Sequence, residues 1–241
     1  RQPEVASTYA IPRYLARKHA IRRYGYHGIS HKYVSDRLAA EHPEIRKIIS
    51  CHLGNGASIT AIDDGKSVDT SMGFSPLEGL VMGTRPGDVD PEITLYLMEK
   101  EGLTAGEVRS MFNKQSGLAG ISQITSDMRK LLATDEPDAR FAIDLFCYRV
   151  KKYIGAYISV LNGCDAIIFT AGTGENAPLI RQKILSSMDV FGIRLDEKKN
   201  FSVQGKDGMI SSADSAIKVF VIPTNEDLLI ARETLKIVSG S

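Results

Sequence analysis

Hydrophobic and polar residues follow two different periods along this chain, and the periods separate strands from helices. Apolar or alternating runs predict strands at residues 45–52, 57–63, 66–71, 165–170 and 219–222. Helical spacing and helix-start signals predict helices at residues 31–40, 91–100, 105–113, 126–132, 138–161, 175–188 and 225–238. Three strands, a group of helices and two strand–loop–helix units predict an α/β fold with a mixed β-sheet flanked by helices.

Turn and cap signals refine these boundaries. Asp64-Gly65 predicts a tight hairpin between the second and third strands. Ser30 is the predicted N-cap of the helix that starts near residue 31. Asp90 is predicted to cap the helix that Pro91 opens at its first position.

Composition and charge are those of a folded chain with an ordinary core. Of 241 residues, 43% are hydrophobic, and residues 138–161 carry an apolar stripe typical of a helix that packs on a core. The 30 Lys and Arg residues against 29 Asp and Glu give a net charge of +1, so nothing indicates a nucleic-acid or anionic-membrane partner. No run of 18 apolar residues is present, so no membrane span is expected. Cys51, Cys147 and Cys164 are scattered, which predicts reduced, mostly buried thiols and a cytoplasmic location.

A glycine loop joins the first two predicted strands. Residues 52–56 read His-Leu-Gly-Asn-Gly, and glycine lets the backbone turn tightly and approach a ligand. Successive N–H groups in such a turn can point at a phosphate, and Asn55 and Ser58 add side-chain donors. No helix follows, which excludes a Walker loop and a dinucleotide fingerprint. A phosphate-binding hairpin and an ordinary turn both stay open, since Gly-Asn-Gly is common turn chemistry.

A second loop places one arginine between residues that break regular structure. Residues 82–91 read Met-Gly-Thr-Arg-Pro-Gly-Asp-Val-Asp-Pro, so Arg85 stands on a rigid base. Its planar fork of donors suits phosphate or carboxylate oxygens. From this segment alone, a surface arginine in a turn is an open alternative.

A basic and aromatic segment, residues 22–33, holds two histidines around two glycines. His27 falls on the glycine loop before a predicted helix, where a side chain can face a ligand. His31 falls inside that helix, where a packing role is favoured. The pair in a basic segment favours anion or metal binding, although no third ligand lies at metal spacing.

Together these segments resemble the acetate kinase family, and the likeness runs in order through nearly all 241 residues. The family's His-Gly-Thr-Ser-His segment appears at residues 27–31, with Ile29 in place of threonine, and its His-Leu-Gly-Asn-Gly loop appears unchanged. Tyr26 and Thr173 depart from the usual phenylalanine and isoleucine. Further family segments lie at residues 70–79, 83–91, 113–117, 126–129, 169–176 and 222–226.

The resemblance implies a fold, a reaction and a set of ligands. The implied fold is one lobe of an actin-like ATPase, of the ribonuclease H-like type. The implied reaction is reversible, direct in-line transfer of a phosphoryl group between ATP and acetate, giving ADP and acetyl phosphate. Mg²⁺ or Mn²⁺ is the implied cofactor, ATP and ADP are the nucleotide substrates, and a homodimer is the implied assembly.

The resemblance also assigns roles to individual residues. Arg85 and His27 are the expected catalytic residues, which stabilise charge on the transferred phosphoryl group. Glu226 is expected to position the metal through water. The expected nucleotide contacts are His52, Leu53, Gly54, Asn55, Gly56, Asp127, Met128, Arg129, Gly172, Thr173, Gly174, Glu175 and Asn176.

The family begins with an N-terminal domain that has no counterpart in this sequence. That domain carries a metal-site asparagine, a carboxylate-binding arginine and a catalytic aspartate. We therefore expect residues 1–241 to form the C-terminal nucleotide-binding domain, which binds nucleotide but is inactive alone. Two alternatives stay open: a kinase of propionate or another short-chain carboxylate, and a non-catalytic actin-like nucleotide-binding module. The joint presence of Arg85, His27 and Glu226 argues against the second.

Overall fold

A six-stranded mixed sheet forms the centre of the computed structural model, which describes residues 2–239. Its strands are β1 (Lys47–Leu53), β2 (Ala57–Asp63), β3 (Lys66–Thr70), β4 (Ala166–Thr170), β5 (Gly208–Met209) and β6 (Lys218–Val221). The helices are α1 (Glu4–Ser7), α2 (Arg13–Lys18), α3 (Gly28–Glu41), α4 (Pro91–Glu101), α5 (Ala105–Lys114), α6 (Gly117–Ser122), α7 (Met128–Leu132), α8 (Pro137–Val160), α9 (Ala171–Asn176), α10 (Pro178–Leu185), α11 (Glu197–Ser202) and α12 (Glu226–Ser239). The predicted fold class, α/β with a mixed sheet flanked by helices, is confirmed.

Strand direction brings three loops to one edge of the sheet. The strand order is β3-β2-β1-β4-β6-β5, and β1, β4 and β6 run parallel. Ligands in α/β proteins collect at the carboxyl ends of parallel strands. The glycine loop after β1, the start of α9 after β4 and residues 222–225 after β6 therefore meet at this edge, where His52 pairs with Thr170.

The two faces of the sheet are packed differently. One face carries the main core, which buries the apolar stripe of α8, including Phe146 and Val150. The smaller apolar cluster, which includes Val34 of α3, lies on the other face. Because strand side chains alternate between faces, the α3 side receives the buried polar residues Ser50 and His52 at the end of β1. Buried polar groups next to the sheet edge where ligands collect are the first indication of a functional site.

The predicted helix at residues 175–188 is wrong, because α9 and α10 divide this stretch. The break falls at Ala177, whose φ of −114° and ψ of 82° are not helical. Proline disfavours a helical backbone in the residue before it and cannot donate an N–H. Pro178 then opens α10 at a position where the missing N–H costs nothing.

The predicted start of α3 is also wrong. Gly28 opens the helix and His27 is its N-cap, so Ser30 lies inside the first turn and is buried. The Ser30 hydroxyl is 2.8 Å from His52 Nδ1. A side chain that is bonded to a neighbouring strand does not cap its own helix.

Other local predictions are confirmed. Asp64 and Gly65 have φ values of 49° and 72°, as a two-residue hairpin requires. Asp90 caps α4 by accepting from Glu92 N–H at 2.9 Å. The cysteines are free, and Cys51 and Cys147 are buried.

Periodicity missed α1, α2, α6, α11 and β5, since elements this short show no period. Within residues 2–239, no helix combines the length and apolar character that a membrane crossing needs.

Candidate functional site

The glycine loop between β1 and β2 lies against the loop that carries Arg85. The turn is tight, because Gly54 N–H donates to the Gly56 carbonyl at 3.1 Å. Gly83 N–H donates to the Asn55 carbonyl at 2.9 Å. A Cβ atom on Gly83 would lie 1.9 Å from Asn55 Oδ1, so a larger residue there would displace the Asn55 side chain.

Arg85 and His27 converge over one point of the glycine loop. A Cβ atom placed on Gly56 would lie 2.7 Å from Arg85 Nη2 and 3.2 Å from His27 Nε2. Two nitrogen atoms beside a glycine loop suit an anionic oxygen. The fold thus brings together the two residues that the sequence predicted as catalytic.

Several anchors hold the loop of Arg85 in place. Arg85 Nη1 donates to the Pro76 carbonyl at 2.8 Å. Three residues later, Asp88 accepts from Gly79 N–H at 3.0 Å and from Tyr153 OH of α8 at 2.9 Å. Burial lowers the pKa of the Arg85 guanidinium from its ordinary value. One arm of the guanidinium is therefore fixed, and the other faces the glycine loop.

His27 has an unusual backbone conformation at the start of α3. Its φ is 57°, in the left-handed region that residues other than glycine rarely adopt. Such conformations cost about 1–3 kcal/mol and cluster at functional sites. The His27 ring stacks on His52, with centroids 4.1 Å apart. Its Nδ1 lies 3.0 Å from Ser58 Oγ, so Nε2 is the nitrogen that faces Gly56.

The two other histidines near the site are buried between α3 and the sheet, with serine partners. His31 Nδ1 lies 2.8 Å from Ser50 Oγ, and its Nε2 lies 2.8 Å from Ser58 Oγ. His52 Nδ1 lies 2.8 Å from Ser30 Oγ. The packing role predicted for His31 is confirmed, because only 4% of the residue is exposed.

Burial keeps this histidine cluster neutral. It lowers the pKa of His31 well below its ordinary value and lowers the pKa of His52 to about 3. It also lowers the pKa of His27, and the charge of Arg85 adds to that effect. At pH 7 all three rings are therefore uncharged, and Arg85 supplies the positive charge.

Acid should destabilise the fold through His52. In the unfolded chain this histidine takes up a proton near its ordinary pKa of about 6.5, whereas in the folded chain it does so near 3. Between these values the unfolded chain binds more protons, so the free energy of unfolding falls as the pH is lowered. We expect His52 to contribute a loss on the order of 2 kcal/mol from pH 7 to pH 5, measured by urea unfolding as the part of the loss that disappears when His52 is replaced.

Two variants separate this loss from other effects of acid. His52→Gln should reduce the loss, because glutamine does not titrate. His19→Gln, at an exposed histidine on the end of α2, should leave it unchanged. An equal loss in the His52→Gln variant and the wild type would contradict this assignment.

A cleft of about 990 Å³ opens beside the glycine loop, a volume that suits a nucleotide. Eight of the predicted nucleotide contacts line it: Gly54, Asn55, Asp127, Met128, Arg129, Gly172, Thr173 and Asn176. They come from the β1–β2 hairpin, the start of α7 and the helix after β4. Tertiary structure therefore gathers three separate segments around one cavity.

The same cleft has walls that the sequence did not indicate. Phe201 of α11 and Gln204 line it, together with Leu179 of α10 and Phe146 of α8. Phe201 is 43% exposed, and an aromatic face of this kind can stack on a base. No motif marks Phe201 or Gln204, because they reach the cleft only through the packing of α11 on α10.

The other predicted nucleotide contacts do not line this cleft: His52, Leu53, Gly56, Gly174 and Glu175. Leu53 is fully buried, so only its backbone can face a ligand. Glu175 Oε1 accepts from the N–H groups of Ala171 at 2.7 Å and Thr224 at 3.1 Å. This carboxylate ties the loop after β4 to the loop after β6.

A buried arginine supports two walls of the cleft from behind. Arg181 of α10 is fully buried and donates to the carbonyls of Gly174 and Glu175 at 2.8 and 2.9 Å. It also donates to Asn200 Oδ1 at 2.9 Å and to the carbonyls of Asn200 and Val203 at 2.8 and 2.7 Å. Burial lowers its pKa to about 10. One side chain thereby joins α9 to α11.

Glu226 lies in the first turn of α12, directly after the loop that follows β6. It is half-buried, and Asn225 Oδ1 accepts from Leu228 N–H at 3.0 Å at the start of the helix. Across residues 2–239, no group of three or more His, Cys, Asp or Glu side chains is arranged to hold a metal ion. A single carboxylate does not make an all-protein metal site. It fits Mg²⁺ that is held mainly by water and nucleotide phosphates.

Comparison with known protein sequences gives one consistent result. A sequence profile of the acetokinase family matches residues 2–232. The acetate kinase of Heliobacterium modesticaldum is 54% identical over 99% of this chain and 61% of its own length. The acetate kinase of Methanosarcina thermophila is 52% identical over 98% of this chain and 59% of its own length. The chain thus spans about 60% of the length of the curated relatives it matches.

Solved structures agree with the sequence comparison. The crystal structure of Porphyromonas gingivalis acetate kinase has a TM-score of 0.95 at 43% identity, covering 98% of this chain and 61% of that one. A propionate kinase from Francisella tularensis has a TM-score of 0.91 at 45% identity, covering 96% of this chain and 60% of that one.

Proposed function

The chain belongs to the acetokinase family, and from this premise we propose that it is the nucleotide-binding domain of an acetate kinase. In the proposed reaction the γ-phosphoryl group of ATP passes to acetate, giving acetyl phosphate and ADP, and the transfer is reversible. The convergence of Arg85 and His27 over Gly56, beside the cleft, is the observation that supports this proposal best. A module that only bound nucleotide would not need both donors there.

Arg85 and His27 would act on the transferred group itself. In-line phosphoryl transfer spreads negative charge over three equatorial oxygens, so catalysis depends on positioning and on nearby donors. Arg85 Nη2 and His27 Nε2 reach one point, and the bond from Arg85 Nη1 to Pro76 fixes the guanidinium in advance. Donors fixed before the reaction need no reorganisation while charge develops.

The cleft would hold the nucleotide with its phosphates toward the glycine loop. Gly54 and Asn55 line the cleft next to Gly56, whereas Gly172 and Phe201 belong to its other walls. This arrangement supports phosphates at the β1–β2 hairpin and adenosine between α9 and α11. Mg²⁺ or Mn²⁺, held by the phosphates and through water by Glu226, would neutralise phosphate charge.

Gly172→Leu should weaken nucleotide binding without disturbing the fold. A Cβ atom on Gly172 would meet no other atom within 4 Å, and Gly172 lines the cleft. A leucine there would occupy space that the nucleotide needs. We expect ADP binding to weaken at least about tenfold, measured by calorimetric titration of the 241-residue chain.

A matched variant controls for the loss of glycine. Gly106→Leu places the same side chain on an exposed face of α5, where the nearest atom to a Cβ would be 3.8 Å away. It should keep the wild-type affinity for ADP. Equal affinity in the Gly172→Leu variant would show that ADP binds elsewhere, and the absence of ADP binding at millimolar concentration by the wild type would contradict the proposal.

The 241-residue chain alone should not make acetyl phosphate at a useful rate. It spans 61% of the length of its H. modesticaldum relative, and the resemblance assigns the acceptor-binding arginine to the remainder. Transfer rests on closing two lobes around the phosphates and excluding water. An acetyl phosphate assay on the calorimetry sample tests this expectation, and robust turnover by this chain alone would contradict it.

Propionate is the second candidate acceptor, because the F. tularensis propionate kinase superposes with a TM-score of 0.91. The two acceptors are distinguished by comparing the turnover of acetate and of propionate. The enzyme for this test contains this chain and has the full length of the relatives. Faster turnover of propionate would replace acetate as the proposed substrate. A non-catalytic module would turn over neither acid.

We also propose that the chain forms a homodimer through α8. Phe141 and Tyr148, two turns apart on one face of this helix, are 61% and 63% exposed. Aromatic residues exposed in this way are enriched at protein interfaces. Light scattering at micromolar concentration should give the mass of a dimer, and Tyr148→Asp should give a monomer. A monomeric wild-type chain would reject the proposal.

A further inference from the structure

Ser58 of β2 lies between two histidine rings that come from the start of α3. Its Oγ lies 3.0 Å from His27 Nδ1 and 2.8 Å from His31 Nε2. On its other side, His31 Nδ1 lies 2.8 Å from Ser50 Oγ. Ser50, His31, Ser58 and His27 thus form an unbroken hydrogen-bonded relay. The relay starts in the buried interior and ends at the ring whose Nε2 faces Gly56 and Arg85.

The relay has only two self-consistent directions. A serine hydroxyl has one hydrogen, so Ser58 donates to one ring and must accept from the other. Both rings are neutral, since burial lowers the pKa of each, and each therefore has one N–H. In the forward direction Ser50 donates to His31, His31 donates to Ser58, and Ser58 donates to His27 Nδ1. In the reverse direction the donor and the acceptor of every hydrogen bond are exchanged.

These directions have opposite consequences at the site. The forward relay occupies the lone pair of His27 Nδ1 and leaves the His27 proton on Nε2. His27 Nε2 and Arg85 Nη2 would then both be donors. They lie within about 6 Å of each other, because that is the sum of their distances to the Cβ position on Gly56. The reverse relay leaves a bare lone pair on Nε2, which would repel an anionic oxygen. Only the forward relay suits a phosphoryl group.

We propose that His31 and Ser58 are positioning residues that hold His27 as the neutral tautomer with its proton on Nε2. This inference rests on the proposed function, because the transferred phosphoryl group is the ligand that requires a donor there. It also accounts for the burial of His31, Ser50 and Ser58 between α3 and the sheet. A polar network so placed is costly unless every member is satisfied, and the relay satisfies each ring nitrogen but the one that faces the ligand.

The tautomer of His27 is measurable without nucleotide or turnover. We would label the histidines of the 241-residue chain with ¹⁵N and record their ring nitrogen shifts at pH 7.5, assigning His27 from its substitution. The expected spectrum shows a protonated Nε2 and an unprotonated Nδ1 whose shift is moved by an accepted hydrogen bond. A His27 with its proton on Nδ1, or with both nitrogens protonated, would overturn the proposal.

Two matched serine variants test the link through Ser58. Ser58→Ala removes the donor to His27, so the Nδ1 shift of His27 should move to that of a bare nitrogen. Ser30→Ala makes the same change in α3 but removes the partner of His52 instead, so the Nδ1 shift of His27 should stay near its wild-type value. Unchanged His27 shifts in Ser58→Ala would overturn the relay.

The wild-type spectrum decides the tautomer even where a variant does not fold. It also separates this inference from the proposed function. A chain that fails to bind ADP but shows the expected tautomer leaves the relay intact and contradicts only the proposed function. A chain that binds ADP but has the His27 proton on Nδ1 contradicts only the relay.

Discussion

Arg85→Ala should lower turnover at least about 100-fold, which is the scale expected for losing one transition-state donor. The test uses an enzyme that contains this chain and has the full length of the relatives. The loss should fall on turnover rather than on ADP binding, because Arg85 does not line the cleft and its free arm faces Gly56. Acetyl phosphate formation measures the first quantity, and calorimetric titration with ADP measures the second.

Two further variants identify what Arg85 contributes. Arg85→Lys should recover little activity, because an ammonium cannot donate to the Pro76 carbonyl and to the transferred group in the geometry of a planar fork. Arg109→Ala removes an exposed arginine from α5 and should leave turnover near the wild-type value. Near-normal turnover by Arg85→Ala would contradict the role assigned to this residue.

Arg181→Met should cost at least about 3 kcal/mol of unfolding free energy, since one buried unsatisfied polar group alone costs about 1–3 kcal/mol. Methionine fills much of the volume but donates no hydrogen bond. The substitution leaves four carbonyls and Asn200 Oδ1 without the donor that they share. Urea unfolding measures the change. ADP affinity should also fall in the folded fraction, because Arg181 joins two walls of the cleft.

An exposed arginine provides the comparison for Arg181. Arg140→Met removes a guanidinium from the surface of α8, where it is paired with an exposed Asp135. Surface substitutions of this kind usually change stability by no more than about 0.5 kcal/mol. If Arg181→Met were as mild as Arg140→Met, the five hydrogen bonds of Arg181 would contribute nothing measurable to the fold.

The sequence was sufficient for most of the longer elements and for the order in which they occur. Period-2 and period-3.6 patterns reflect which side chains face a core, so they located five of the six strands and the long helix α8. Glycine and proline have fixed backbone preferences, so the hairpin at Asp64-Gly65 and the cap at Asp90 followed from local chemistry. At Ser30, by contrast, the cap signal predicted the wrong helix start, because the side chain is bonded to His52 of the neighbouring strand.

The residues of the candidate site were found through family segments, but their arrangement was not. Nothing in the segments of residues 27–31, 52–56 and 82–91 indicates that His27 and Arg85 meet over Gly56. That meeting depends on the β1–β2 register, on the start of α3 and on the anchoring of Asp88 to α8. All three are contacts between residues far apart in the chain.

Tertiary structure alone decided how the site is supported. Arg181 and Phe201 lie outside any pattern that marks function, and no pattern indicated that Ser58 and His31 form a relay, since their partners are brought near only by folding. Their types are also ambiguous in sequence: a serine on a strand or an arginine on a helix is ordinary at a surface. Burial fixes the positions of these polar residues, because a polar group that is shielded from water must form its hydrogen bonds inside the protein. The sequence therefore determined what the chain folds into, and the fold determined which of its polar residues act together.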